Sequence, residues 1–112
     1  MASYKTILIG RIAEDIVLKQ DTDNRDYARF TILSSTVDED QNEVVQSNSL
    51  ISYGKQAKVC AKYLGKGDLC CVEGELNRTL YEDNGEQKYN VEIVAERVIF
   101  LSPSRKKESA SV

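Results

Sequence analysis

The 112-residue chain has no histidine, no tryptophan, one proline and one methionine. Without an imidazole there is no His-based triad, no His-ligated metal and no neutral-pH proton shuttle. Cysteines number three, an odd count, and none forms a C-x-x-C pair. Cys70 and Cys71 are adjacent and would point to opposite faces of a strand, so no ordinary bridge joins them. They read as reduced, partly buried thiols, and three scattered sulfurs make a poor zinc site. No apolar run approaches the roughly 18 residues of a membrane span. Ile7-Leu8-Ile9 meets Gly10-Arg11 at once, which is too short for a signal peptide and lacks a cleavage site, so the expected location is cytoplasmic.

A basic excess is also missing. Lysine and arginine number 15 against 18 acids, a net charge of −3. That argues against a general polycation for nucleic acid, but the placement of charges decides such binding. Nine of the 18 acids fall between Glu14 and Glu43. Lys55, Lys58, Lys62 and Lys66 recur at helical spacing with no acid among them.

What is present is a series of β-rich segments in a chain long enough for one domain. Tyr4 to Ile12 reads as a strand with Gly10 marking a bend, and Glu14 to Leu18 as its continuation. Gln20 to Asp26 reads as a polar turn. Tyr27 to Val37 is the next strand, with Ala28, Phe30 and Ile32 on the core face and Tyr27, Arg29, Thr31 and Leu33 on the other. An acidic loop, Asp38 to Glu43, leads to a third strand, Val44 to Tyr53. The period then changes: Ala57, Cys60, Ala61 and Leu64 form a helical stripe within Gly54 to Leu64, which Gly65 and Gly67 end. Asp68 to Tyr81 is a fourth strand with a bend at Gly74. Glu82 to Glu86 is a hairpin loop around Asn84-Gly85, and Gln87 to Leu101 is the last strand. Residues 102–112 read as a disordered polar tail. Five strands with one helix between the third and fourth, and glycines at the bends, describe an all-β OB-fold, a five-stranded Greek-key barrel.

Particular residues carry a further likeness. Ile7-Leu8-Ile9-Gly10-Arg11-Ile12 followed by Glu14-Asp15, then Tyr53-Gly54-Lys55-Gln56-Ala57, Tyr63-Leu64-Gly65-Lys66-Gly67, Val72-Glu73-Gly74-Glu75-Leu76, Tyr81-Glu82-Asp83-Asn84-Gly85, Lys88-Tyr89 and Glu92-Ile93-Val94-Ala95 stand in order from Lys5 to Leu101. This set resembles the bacterial single-stranded DNA-binding proteins. The resemblance implies sequence-independent binding of single-stranded DNA in replication, repair or recombination. It also implies no enzymatic activity, no cofactor, and assembly as a homotetramer. It departs at Asp38 and Ser47, where that family usually places an aromatic, and at the end of the chain, Arg105 to Val112, which has no acidic, hydrophobic tip for recruiting partners.

A single-strand binder needs flat side chains for bases and cations for phosphates. OB-folds bind across strands two and three and through the hairpin loop between strands four and five. Tyr53 closes the third strand and Tyr81 stands at the base of that hairpin, so both are stacking candidates; Tyr27 is a third. Arg11, Lys55, Lys62, Arg78 and Lys88 are the phosphate candidates. A competing reading is an OB-fold subunit that binds protein rather than DNA, favoured by the two missing aromatics and the acidic balance. A metal-dependent nuclease built on Glu14-Asp15 or Glu82-Asp83 is disfavoured, because strand neighbours diverge in direction and loop acids are usually solvated.

Overall fold

A computed structural model describes residues 4–102. The strands are β1 (Lys5–Ile12), β2 (Lys19–Gln20), β3 (Asp26–Val37), β4 (Glu43–Tyr53), β5 (Leu69–Asp83) and β6 (Glu86–Phe100), with one helix, α1 (Gly54–Tyr63), between β4 and β5. The sheet runs β1-β5-β6-β4-β3-β2, and β1 also pairs with β3, which closes it into a barrel. Only β4 and β6 are parallel; every other pairing is antiparallel. The five long strands and single helix are the expected OB-fold.

Two glycines make closure possible. A Cβ on Gly10 would lie 2.3 Å from the Leu33 carbonyl oxygen, at the place where Arg11 and Ile12 pair with Leu33 and Ile32. A Cβ on Gly74 would lie 2.3 Å from the Val94 carbonyl oxygen, and the β5–β6 register slips there, between Glu73 and Gly74. Both bends therefore need a residue without a side chain.

The interior is filled from every long strand: Ile12, Ala28, Phe30, Ile32, Leu50, Cys70, Val72, Ile93 and Ala95 are buried, and α1 adds Ala57 and Cys60, with Leu64 just beyond it. Burying one such aliphatic side chain contributes about 1.5–3 kcal/mol. Phe30 is in the core as the alternation of its strand requires. Cys70 is fully buried while Cys71 is half-buried, and all three thiols are free.

Three expectations are corrected. Glu14 to Leu18 does not continue β1; this stretch is irregular, drops Ile16 into the core, and is tied down by the Lys66 N–H, which donates to the Asp15 carboxylate at 3.0 Å. The turn expected over Gln20 to Asp26 is shorter, because Gln20 and Asp26 pair with each other as strand residues. The loop expected over Glu82 to Glu86 is a tight turn at Asn84-Gly85, both with positive φ (52° and 81°), so the strands run on to Asp83 and from Glu86. Tyr81 therefore stands near the far end of a two-stranded arm, not at its base. The tail expected from 102 onward lies outside the described residues except for Ser102, whose hydroxyl accepts the Leu69 N–H at 2.9 Å. No helix among the described residues is long and apolar enough to cross a membrane.

Candidate nucleic-acid interface

Strand alternation sorts the candidates by face. On β3, Tyr27 and Arg29 alternate with buried Ala28 and Phe30 and so lie outside the barrel. On β4, Tyr53 follows buried Ser52 and is directly opposite Tyr27 in the β3–β4 ladder. Directly opposed residues of an antiparallel pair share a face, about 4.5–5.5 Å apart at Cβ. Tyr27 and Tyr53 thus form one aromatic unit. Tyr81 and Lys88 are also directly opposed, and their parity with the core residues Val72 and Ile93 puts them on the same outer side of the sheet. Tyr53 and Tyr81 are 45% and 46% exposed, which leaves ring surface for a ligand.

The cations divide differently. Arg29 lies over the Tyr27 ring, its Cζ 5.6 Å from the ring centre, and its Nε donates to Glu92 at 3.2 Å across the intervening β4. Lys88 donates to Asp83 at 3.0 Å, with both side chains about half exposed. Lys55 is exposed, two residues after Tyr53. Lys62 lies two helical turns further on, about 10 Å away, with its Nζ 5.3 Å from the Tyr63 ring centre. Lys58 is paired with Asp26 at 3.2 Å and Lys66 lies in the turn beyond α1, so Lys55, Lys58, Lys62 and Lys66 are not one free row of charge along the helix. Arg11 donates to the Gly67 carbonyl at 2.9 Å and neighbours Leu33, about 20 Å along β3 from Tyr27. Arg78 stands on the opposite face of the arm from Tyr81, with its Cζ 5.4 Å from the Tyr89 ring centre. The outer face of β3, β4 and the arm therefore carries two groups, the Tyr27–Tyr53 pair with Lys55 beside it and the Tyr81–Lys88 pair out on the arm. It does not bring in Arg11, Lys62 or Arg78.

Asp38 and Ser47 are not stacking residues, and the structure gives Asp38 other work. Its carboxylate accepts the N–H groups of Asp40 and Asn42, both at 2.9 Å, and so shapes the β3–β4 turn. Asp21 does the same between β2 and β3, accepting the N–H groups of Asp23 (2.8 Å) and Arg25 (3.0 Å) and the Arg25 Nε–H (2.8 Å). The Arg25 backbone bond leads the causes that hold the Asp21 carboxyl below its ordinary 3.8. Asp26 is also held below 3.8, first by the Gln20 side-chain hydrogen bond and then by Lys58. Many of the acids clustered in the first half of the chain are thus spent on turns and pairs.

Sequence reasoning missed Arg29, Arg25 and Tyr89. Arg29 was recoverable, since i and i+2 share a strand face. Tyr89 required the two-residue turn, which sets the register that brings Leu80 opposite it and Arg78 onto the same face. Arg25 gave no signal, because its position depends on the fold of a turn.

Comparison with known proteins gives one consistent answer. The model of the single-strand binding protein family matches residues 4–101. A protein from Staphylococcus aureus strain MRSA252, named single-stranded DNA-binding protein, is 33% identical over 108 residues, covering 94% of this chain and 69% of its own length. Single-stranded DNA-binding protein 1 of S. aureus strain MSSA476 is 35% identical over 102 residues, covering 88% and 65%. A single-stranded DNA-binding protein of Caldanaerobacter subterraneus is 32% identical over 107 residues, covering 88% and 68%. The chain spans about two thirds of the length of these relatives.

Proposed function

Because the chain belongs to the single-strand binding protein family, we propose that it binds single-stranded DNA on the outer face of β3, β4 and the β5–β6 arm, without enzymatic chemistry and without reading sequence. The observation that carries this reading is the directly opposed Tyr27–Tyr53 pair, with Tyr81 exposed on the same side of the sheet. Every base offers a π-face, so stacking on tyrosine tolerates any sequence and contributes about 1–3 kcal/mol per base. Tyr27 supplies on β3 an aromatic surface that Asp38 and Ser47 do not. Lys55, two residues after Tyr53, and Lys88, directly opposed to Tyr81, meet the phosphates; Arg11, Lys62 and Arg78 act only on a strand long enough to pass beyond this face.

The remaining parts of the reading follow the family. Residues 1–101 are the binding domain and 102–112 a polar tail. The work is protection of exposed single strands in replication, repair or recombination, in the cytoplasm. The domain self-associates, as a tetramer in the family's pattern, and Ile7 and Ile9 on the outer face of β1, 71% and 58% exposed, are side chains that a second copy would cover.

Titration of tyrosine fluorescence with oligo-dT of increasing length tests the reading. The logarithm of the affinity should fall linearly with log salt, with a slope of about −0.7 per phosphate neutralised. A complex indifferent to salt, or no complex, would favour the alternative of a protein-binding OB-fold. Mass measurement in solution checks the assembly.

A further inference from the structure

Beside Tyr53 the surface opens into a cavity of about 450 Å³ lined by Asn24, Arg25, Asp26, Tyr53 and Gly54. That lies within the usual range for small-molecule sites, about 300–1,000 Å³. Its parts come from two places in the chain: the β2–β3 turn and the β4–α1 junction. Gly54 has φ +65° and nothing within 4 Å of where its Cβ would be, so the floor beside the Tyr53 ring is open.

The chemistry of the walls favours one kind of occupant. Arg25 is exposed, yet it is not a free-swinging cation. Its Nε–H donates to Asp21 at 2.8 Å, and the same carboxylate holds its backbone N–H at 3.0 Å. The guanidinium is planar and carries five donors, of which this contact uses one. The acid that lines the cavity, Asp26, is already engaged: Gln20 donates to it at 3.1 Å and Lys58 pairs with it at 3.2 Å. Asp23 is a further exposed acid of the turn, and its backbone N–H is held by Asp21 at 2.8 Å. A flat ring, a pre-oriented guanidinium and a neutralised carboxylate around one open cavity suit a nucleotide unit of a single strand.

We propose that this cavity is a nucleotide subsite in which a base stacks on Tyr53 while Arg25, held in place by Asp21, takes the adjoining phosphate. The subsite rests on the single-stranded DNA reading above and extends it to the β2–β3 turn. Asn24 stands at the rim, where its amide meets the sugar or the base edge.

The experiment compares Arg25→Ala, Arg25→Lys and Arg97→Ala with the parent chain, using oligo-dT at several salt concentrations and recording a thermal melt for each. Arg97 is an exposed cation on β6 opposite Glu73, does not line the cavity, and controls for the loss of one charge. Arg25→Ala should weaken binding about tenfold and reduce the salt slope by about 0.7, one phosphate. Arg25→Lys should keep the slope and lose only part of the affinity, since the ammonium retains the charge without the planar fork. Arg97→Ala should change neither. The subsite is overturned if Arg25→Ala binds like the parent while Tyr53→Ala does not, or if Arg97→Ala matches the loss at Arg25. Failure of the parent chain to bind oligo-dT at all would instead remove the DNA reading itself.

Discussion

Tyr53 and Tyr81 are exposed almost equally, at 45% and 46%, but they stand on different scaffolds. Tyr53 ends a strand whose preceding residues, Leu50, Ile51 and Ser52, are all buried. Its opposite neighbour Tyr27 belongs to a second barrel strand. Tyr81 lies on an arm where every residue from Asn77 to Val91 is exposed. Two strands without a core beneath them are marginally stable in water. The arm is held mainly by its ladder, the Asn84-Gly85 turn and a few surface contacts. The lesson is that the proposed binding face is built from a rigid part and a compliant part. The barrel presents Tyr27 and Tyr53 in fixed register, whereas the arm can adjust Tyr81 and Lys88 to the path of a flexible strand.

The strongest way to break that contrast is to compare a glycine from each region. Gly10→Ala puts a methyl 2.3 Å from the Leu33 carbonyl oxygen and 2.6 Å from an Ile32 methyl. Overpacking of this kind costs about 1–3 kcal/mol or more, and here it strikes the seam that closes the barrel. We expect a large drop in melting temperature and loss of DNA binding together. Gly85→Ala meets no atom within 4 Å but has φ +81°, so its cost is the left-handed backbone alone, about 1–2 kcal/mol. It should leave the barrel's melt nearly unchanged while accelerating amide exchange along the arm. Equal effects on the melt would mean that arm and barrel fold as one unit.

The thiols report on the barrel alone. Burial pushes Cys60 up to about 12 and Cys70 up to about 11 from an ordinary 9.0. Because the folded values are raised, the stability linked to these groups is fully present below about pH 9 and is lost as pH rises toward 11–12. At pH 8 a thiol reagent should modify Cys71, which is only half-buried, while Cys60 and Cys70 react about a thousandfold more slowly than in the unfolded chain. If the buried pair were slowed, relative to the unfolded chain, no more than the arm's amides are, the barrel would be no more solid than the arm.

The tyrosines themselves come next. Tyr53→Ala and Tyr81→Ala should each weaken oligo-dT binding by about 1–3 kcal/mol, and Tyr→Phe by much less, since the ring does the stacking. The two should differ in the melt: Tyr81→Ala leaves it unchanged, whereas Tyr53→Ala lowers it slightly by removing the partner of Tyr27. Calorimetry beside each binding isotherm separates affinity from folding. If both variants bind as the parent does, the outer face is not the platform.

How much of this was readable beforehand follows from the range of the forces involved. The core faces of β3 and α1 were legible because burial imposes a period of 2 or 3.6 on neighbouring residues. Gly10 and Gly74 announced bends, though not which strand each bend would meet. The segment Glu14–Leu18 misled, because its β-rich composition said nothing of Asp15 anchoring to Lys66, 51 residues away. At the proposed site, Tyr53 and Tyr81 stood out as candidates, but their sharing of a face with Tyr27 rests on cross-strand register. The cations were read least well: Lys58 meets Asp26 from a different element, and the side of the arm that Arg78 occupies depends on alternation counted from the barrel core.

The smallest expected effect sharpens the contrast electrostatically. Asp26–Lys58 in the barrel and Asp83–Lys88 on the arm have similar separations, 3.2 and 3.0 Å. The barrel pair is backed by the Gln20 hydrogen bond, which with Lys58 depresses the Asp26 carboxyl. Stability linked to Asp26 is therefore present above pH 3.8 and is lost as pH falls below it, so Asp26→Asn should lower the melt at pH 7 and flatten its acid side. Asp83→Asn should leave the melt at pH 7 within about 0.5 kcal/mol of the parent, because exposed pairs contribute little. Its effect belongs in binding instead. Lys88 shares the outer face with Tyr81, and removing its acid partner frees a cation on the proposed path of the phosphates. Oligo-dT affinity should rise, by a few-fold at most at low salt, and the gain should vanish near 1 M salt, where screening acts within about 3 Å. Lys88→Met should move affinity the other way, and in the double variant the benefit of Asp83→Asn should disappear if it acts through Lys88. A gain that survives without Lys88 would mean that Asp83 repels the strand directly, making the arm a guide by exclusion as well as by contact.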